Sequence, residues 1–343
     1  MTARPPYPWP MMNARPLRTD VRPRRRAWRM FASGAAHLLA AVLWAGLLAW
    51  LAGRVLNDRF GWSQWLWFVP TPAALAASMT GLVLACRPGP SRARRKRRMA
   101  LWACVFIVLT GYLLFIEHRF QRSDASPEGG LRVAFWNLSS PVEEEADAHA
   151  EAARRLTGDV VILASPSGIP WRRFTALTRP PGVTLVSTGL FAIETRRAVT
   201  RIRPVIQQER MYAVIVEIEA EDWLGRPLVV CLADLPSEPH VSRMGVAQRL
   251  HAALERAGEP APDLIVGDLN TPRGGGAIRR LFPTLREAFD EAGHGWGATY
   301  PRERPLWHID RVLLGPAVKA IDYDIIDPGV GRHRAQAVTI IKR

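Results

Sequence analysis

The sequence predicts an α+β protein in which a sheet-centred domain follows three membrane-crossing helices. Three observations lead there. Three uncharged apolar stretches crowd the first 116 of 343 residues; the whole net charge of +15 lies in the first 99; and residues 131–343 alternate short strand-like runs with a few helical ones. A hydrophobic content of 48% excludes a chain that is disordered throughout.

Residues 1–99 hold 17 Lys and Arg against only Asp20 and Asp58, so the remainder of the chain is balanced at 29 basic and 29 acidic groups. A bilayer core of about 30 Å takes about 20 apolar helical residues. The stretches 31–53, 62–86 and 99–116 suit that length, with Pro70 and Pro72 expected to kink or break the second near one end. The Arg-rich segment 1–30 and the basic loop 87–98 flank these spans, whereas the loop between the first two carries only Arg54, Asp58 and Arg59. Because Lys and Arg are retained on the cytoplasmic side, the N-terminus lies inside and everything after residue 116 outside, in a bacterium the periplasmic side of the inner membrane. Trp62, Trp65 and Trp67 then fall at the outer interface. The Arg clusters are topology signals touching anionic lipid, and no specific DNA binding follows from them.

Residues 117–130 form a polar linker with a Pro and a Gly pair, and the domain 131–343 follows. Strands are expected over 131–137, 159–164, 183–194, 211–219, 227–235, 263–268, 309–314 and 335–341, and helices over 142–156, 241–257 and 286–292. The Arg residues between 172 and 203 read as ordinary solvated surface.

Several apolar strands end in polar residues: Asn137 in RVAFWNLS, Asp234 in VVCLADLP, Asp268 and Asn270 in LIVGDLNTP, and Asp310 in HIDRVLL. Such an ending alone is usually a turn. Together with a closing His333, these pieces resemble the endonuclease/exonuclease/phosphatase superfamily, the fold of pancreatic DNase, over residues 131–342. The family has strands ending in WN, in a metal-binding Glu, in a THL-like motif, in GDFN or GDLN, in ID and in a terminal SDH, in this order. The resemblance implies a four-layer α/β/β/α sandwich and hydrolysis of a phosphodiester or phosphomonoester by activated water, with Mg²⁺ or Mn²⁺ as cofactor and no organic one. It also assigns roles. Asp268 would be general acid or base, Asn137 and Asn270 would orient the site and donate to phosphate, and His333, held by Asp310, would contact phosphate or assist proton transfer.

Three positions depart from the family pattern. Its metal-binding Glu is Ser165, its terminal acid is Arg332, and the His of its THL-like strand is Asp234. Three alternatives stay open: an enzyme with a displaced ion held through Asp234, Asp268 or one of Glu143, Glu144 and Glu145; an enzyme in which Arg332 stands in for the ion and binds phosphate; or an inactive relative that binds a phosphorylated ligand or a protein. The substrate is left as a phosphate ester on a lipid, nucleotide or nucleic acid, met by a protein whose first partner is the bilayer. His308 is expected to pack rather than to react, the other His residues lack zinc-ligand spacing, and Cys231, the one thiol of the C-terminal region, cannot build a disulfide framework there. Gly274–Gly276 lacks the Lys and Ser or Thr of a nucleotide loop.

Overall fold

In the computed structural model, residues 22–343 are described except 89–90, 120–128, 170–181, 209 and 260. Most of the segment 1–30, most of the linker 117–130, and Arg172 and Arg173 therefore lie outside the described residues.

The apolar stretches form helices α1 (Arg22–Leu56), α2 (Ser63–Trp67), α3 (Thr71–Ala85) and α4 (Arg92–Tyr112), the last running on into a π-helical turn, Leu113–Glu117. The expected second span 62–86 is not one helix. Phe68–Pro70 interrupts it, because Pro70 and Pro72 supply no backbone N–H and Pro72 fits only the first turn of a new helix. Among the described residues, two helices are long and apolar enough to cross a membrane, Gly34–Leu56 and Arg92–Glu117. At 15 residues, α3 spans about 22 Å. The helices pack through Leu47, Trp50, Ala74, Ala85, Trp102 and Leu109, while Leu38, Val42, Leu48, Val83, Ile107 and Phe115 stay exposed. Gly81 admits this packing: a Cβ there would lie 2.4 Å from the Trp102 ring.

Twelve strands build two six-stranded sheets. The first has the order β11 (Val318–Ile326), β12 (Ala335–Lys342), β1 (Leu131–Asn137), β2 (Val160–Ala164), β4 (Phe191–Thr195), β3 (Thr184–Thr188). The second has the order β5 (Val199–Gln208), β6 (Met211–Ile218), β7 (Leu228–Asp234), β8 (Leu264–Asp268), β10 (Asp310–Leu314), β9 (Arg286–Glu287). Successive strand residues point to opposite faces, and the apolar ones sort accordingly. Leu131, Val133 and Phe135 of β1 meet Leu228, Val230 and Leu232 of β7 and Leu264 and Val266 of β8 between the sheets. The other parity of β1, Ala134 and Trp136, packs under helix α5 (Ala146–Arg154). Cys231, Ala233 and Ile265 pack under α6 (Arg243–Arg256) and α7 (Gly276–Leu281). The result is the expected four-layer α/β/β/α sandwich.

Three local expectations change. Residues 183–194 are a hairpin, β3 and β4, because Gly189 turns the chain at φ +59 where a Cβ would lie 2.4 Å from the Tyr212 hydroxyl. Residues 286–292 begin as β9 before helix α8 (Ala288–Ala292). Strands β5 and β11 add edges to the two sheets.

The segment joining α1 to α3 lies against the domain. Helix N-termini expose N–H groups that need acceptors. For α6 and α7 several of these acceptors come from about 200 residues away: Gln64 Oε1 accepts from Arg243 N at 3.1 Å, Asn57 Oδ1 from Gly276 N at 2.9 Å and Asp58 Oδ1 from Ala277 N at 2.9 Å. Gln64 Nε2 also donates to the Pro239 and Val241 carbonyls. Asp58, Ser63 and Gln64 are fully buried. The helix ends themselves are tied together where Arg54 donates to the Trp67 and Val69 carbonyls and to Thr71, which donates to Glu117 at 2.7 Å. Arg273 reaches the Glu117 carbonyl and Trp307 Nε1 the Phe68 carbonyl, each at 2.9 Å.

Candidate active site

Strand parity decides where the polar strand ends point. Asn137, Asp234, Asp268 and Asp310 share parity with the residues of their strands that fill the space between the sheets. Register aligns three of them: β7 runs parallel to β8 with Asp234 opposite Asp268, and β10 runs antiparallel to β8 with Asp310 opposite Asp268. Three carboxylates therefore form one row across neighbouring strands, about 5 Å apart along the sheet. Asn137 faces them from the other sheet and donates Nδ2 to Asp268 Oδ2 at 3.0 Å.

The glycine of GDLN is required by this arrangement. A Cβ on Gly267 would lie 1.8 Å from the Ala233 carbonyl oxygen, so only glycine lets β8 approach β7 beside Asp268. Past the strand, Asn270 turns at φ 46, its N–H donating to Asp268 Oδ1 at 2.9 Å and its Nδ2 to the Leu235 carbonyl at 2.8 Å. His333 sits just ahead of β12. Its Nδ1 lies 2.8 Å from Asp310 Oδ2, and Trp136 Nε1 donates to its carbonyl at 3.1 Å. The Trp of WN thus fixes the His333 backbone while Asp310 fixes the ring.

A cavity of about 700 Å³ opens on this row, lined among others by Asn137, Ser165, Asp234, Asp268, Asn270, Arg332 and His333. Asp310 stands behind His333 and is fully buried. Burial and the Asp310 charge raise the Asp268 carboxyl to about 8, partly offset by His333. Burial and Asp310 likewise raise Asp234 to about 6, with His333 and a hydrogen bond from Ser165 opposing. Burial alone would lower His333, but the Asp310 carboxylate and its hydrogen bond lift it to about 9. At neutral pH the ring is an imidazolium beside a carboxylate. The site carries more buried acid than cation.

Chain comparison accords with this geometry. The model of the endonuclease/exonuclease/phosphatase family matches residues 155–333, just over half of the chain. The chain belongs to that family. Among solved structures, a functionally unknown conserved protein from Enterococcus faecalis is 14% identical with a TM-score of 0.49, covering 62% of this chain and 100% of its own. The mannosyl-6-phosphatase Bt3783 of Bacteroides thetaiotaomicron is 12% identical (TM-score 0.48; 62% and 99% covered). Truncated Caenorhabditis elegans TDP2 is 16% identical (TM-score 0.48; 62% and 98% covered). None of the curated proteins matches the chain.

Two lining residues, Ser165 and Arg332, offer a hydroxyl and a guanidinium, which are poor ligands for a hard cation. The donors that suit one lie along the aspartate row. Asp268, Asp310 and His333 offer ligand atoms all within 4.8 Å of one another, and Asp310 Oδ1 is buried without a hydrogen-bond partner among the described residues. Glu143–Glu145, by contrast, is an exposed 3₁₀ turn ahead of α5, away from the cavity lining. His308 is buried against Phe289 and Tyr323, and burial lowers it to about 3, as a packing role requires.

Tyr300, Trp307 and Phe68 are among the lining residues not singled out from sequence. Tyr300 lies 4.8 Å from His333, ring to ring, and accepts from Arg332 Nη2 at 3.0 Å. It lies in GATYPRERPLWHID, ten residues ahead of Asp310. Trp307 and Phe68 also line the cavity. Nothing local marks Phe68, since its place depends on the helical segment lying against the domain.

Proposed function

We propose that this chain is a membrane-anchored, extracytoplasmic phosphoesterase that hydrolyses a phosphodiester or phosphomonoester by attack of an activated water. The observation that carries the reading is the Asp234–Asp268–Asp310 row with the Asp310-held His333, Asn137 and Asn270 around one cavity. Membrane anchoring is supported by the apolar outer surfaces of α1, α3 and α4 and by the asymmetry of basic residues at their ends. The same asymmetry supports a cytoplasmic N-terminus and an outward-facing domain.

In this reading Asp268 exchanges a proton with the attacking water or the leaving oxygen, and the amides of Asn137 and Asn270 hold its two oxygens in place. His333, charged and fixed by Asp310, donates to a nonbridging phosphate oxygen as negative charge grows. Arg332 at the mouth offers a second cationic donor. Asp268 and Asp310, whose ligand atoms lie with a His333 nitrogen within 4.8 Å of one another, would hold a divalent ion such as Mg²⁺ or Mn²⁺, which when bound supplies Lewis-acid polarisation of the phosphate. Ser165 and Arg332 favour a second reading, a binding module without turnover.

The deciding experiment is hydrolysis of a chromogenic phosphodiester by the detergent-solubilised full chain, beside Asp268→Asn. Turnover lost in the variant supports the enzyme; equal signals from both support the binding module. Chelator then separates an ion on the aspartate row from phosphate binding by Arg332 alone.

A further inference from the structure

The cavity is built in part by the membrane segment. Phe68, in the break between α2 and α3, lines it together with Pro239 and Trp307, and Trp307 is hydrogen-bonded to the Phe68 carbonyl at 2.9 Å. Phe68 lies three residues before α3, and the ends of α1 and α4 are tied to the start of α3 through Arg54, Thr71 and Glu117. The cavity mouth is therefore held at the level where the apolar helices end.

The segment that carries Phe68 is aromatic on its outer side. Phe60, Trp62 and Trp65 of the same segment are 43%, 60% and 51% exposed, although Ser63 and Gln64 between them are fully buried against the domain. Phe60 and Trp62 stack with ring centroids 6.0 Å apart. A folded surface does not ordinarily hold three large aromatic rings of one short segment out into water, and such rings sit well at the headgroup level of a bilayer. The cavity has a mixed lining in which Arg210 and Arg332 supply positive charge, and its size of about 700 Å³ suits a headgroup rather than acyl chains.

From this geometry we infer that the substrate is a phosphate ester carried on a lipid of the leaflet in which the helices end, its headgroup entering past Phe68 and Trp307 while its acyl chains stay in the bilayer. The inference rests on the phosphoesterase reading above. Hydrolysis would form a bond from the water oxygen to phosphorus and break one phosphorus–oxygen ester bond. One water proton passes to the departing alkoxide, leaving an alcohol and a phosphate with one ester fewer.

The test reconstitutes the full chain into phosphatidylcholine vesicles containing phosphatidylglycerol or phosphatidic acid. Phosphorus-containing products are followed beside those from the deacylated soluble counterparts, glycerophosphoglycerol and glycerol 3-phosphate. The expected result is at least about tenfold faster turnover of a lipid ester than of its soluble counterpart at equal total concentration. Trp62→Ser with Trp65→Ser should abolish that preference and leave turnover of the soluble ester unchanged. Equal or faster turnover of the soluble esters, or a lipid preference untouched by the double variant, overturns the lipid assignment and leaves the phosphoesterase standing. Absence of turnover on all four probes overturns both.

Discussion

Asp268 has two buried acidic neighbours, Asp310 and Asp234, and one cationic neighbour, His333. Replacing it with Asn keeps the shape and an acceptor for the Asn270 N–H but gives up the second acceptor, which faces Asn137 Nδ2, and removes the proton-transferring group, so activity should fall by about 10²–10⁴-fold. Asp310 acts through its neighbours. Together with burial it raises Asp268 from an ordinary 3.8 to about 8, and against burial it lifts His333 from 6.5 to about 9. A folded state that binds a proton more tightly than the unfolded chain loses stability as that proton leaves. The Asp268 contribution thus declines from about pH 4 upward, and the His333 contribution is complete below pH 6.5 and gone once the pH passes about 9. The melting temperature should accordingly drop between pH 6.5 and 9, and Asp310→Asn should flatten that drop. In the pH–rate profile the same substitution should move the alkaline limb downward, since His333 then surrenders its proton earlier. Thermal melts and rates over one buffer series check both.

At the scale of strands and helices, the close approach of β7 and β8 depends on Gly267. Gly267→Ala should cost about 3 kcal/mol, because the new methyl meets backbone rather than a side chain that could move, and denaturant titration would measure it. The strands legible in sequence were those that fill the space between the sheets, such as 131–137 and 263–268, where apolar residues run unbroken. Strands β5 and β11 escaped notice because they are edges: Arg201 and Arg203 of β5 face solvent and pair with Glu217 and Glu259, and β11 carries Lys319, Asp322 and Asp324. Within the site, the polar strand ends were readable because each breaks an apolar run. The aromatic wall was not, because Phe68 joins Trp307, and through it Tyr300, only by a contact across the fold. The interruption of the second apolar stretch could be read from its prolines, but not the way its first turn lies against the domain.

For the molecule as a whole, the helical segment is a structural part of the domain it precedes. A chain beginning at residue 123 would lack Asn57, Asp58 and Gln64, leaving N–H groups of α6 and α7 without these acceptors, at about 1 kcal/mol for each lost cap. Asn57→Ala with Asp58→Ala in the full chain should reproduce the effect at α7, read as faster hydrogen exchange over residues 274–281. The proposed orientation is open to a direct check. In cells with a permeabilised outer membrane, an impermeant thiol reagent should label Glu303→Cys on the domain and spare Arg94→Cys at the basic end of α4. The contacts from Asn57 to Phe68 also set the kinetics of the proposed enzyme. A domain pinned at several points to its own helices cannot lean across to a facing membrane. It meets substrate in two dimensions, by lateral diffusion, so its rate should follow the mole fraction of substrate in its own leaflet rather than the amount of lipid in the suspension.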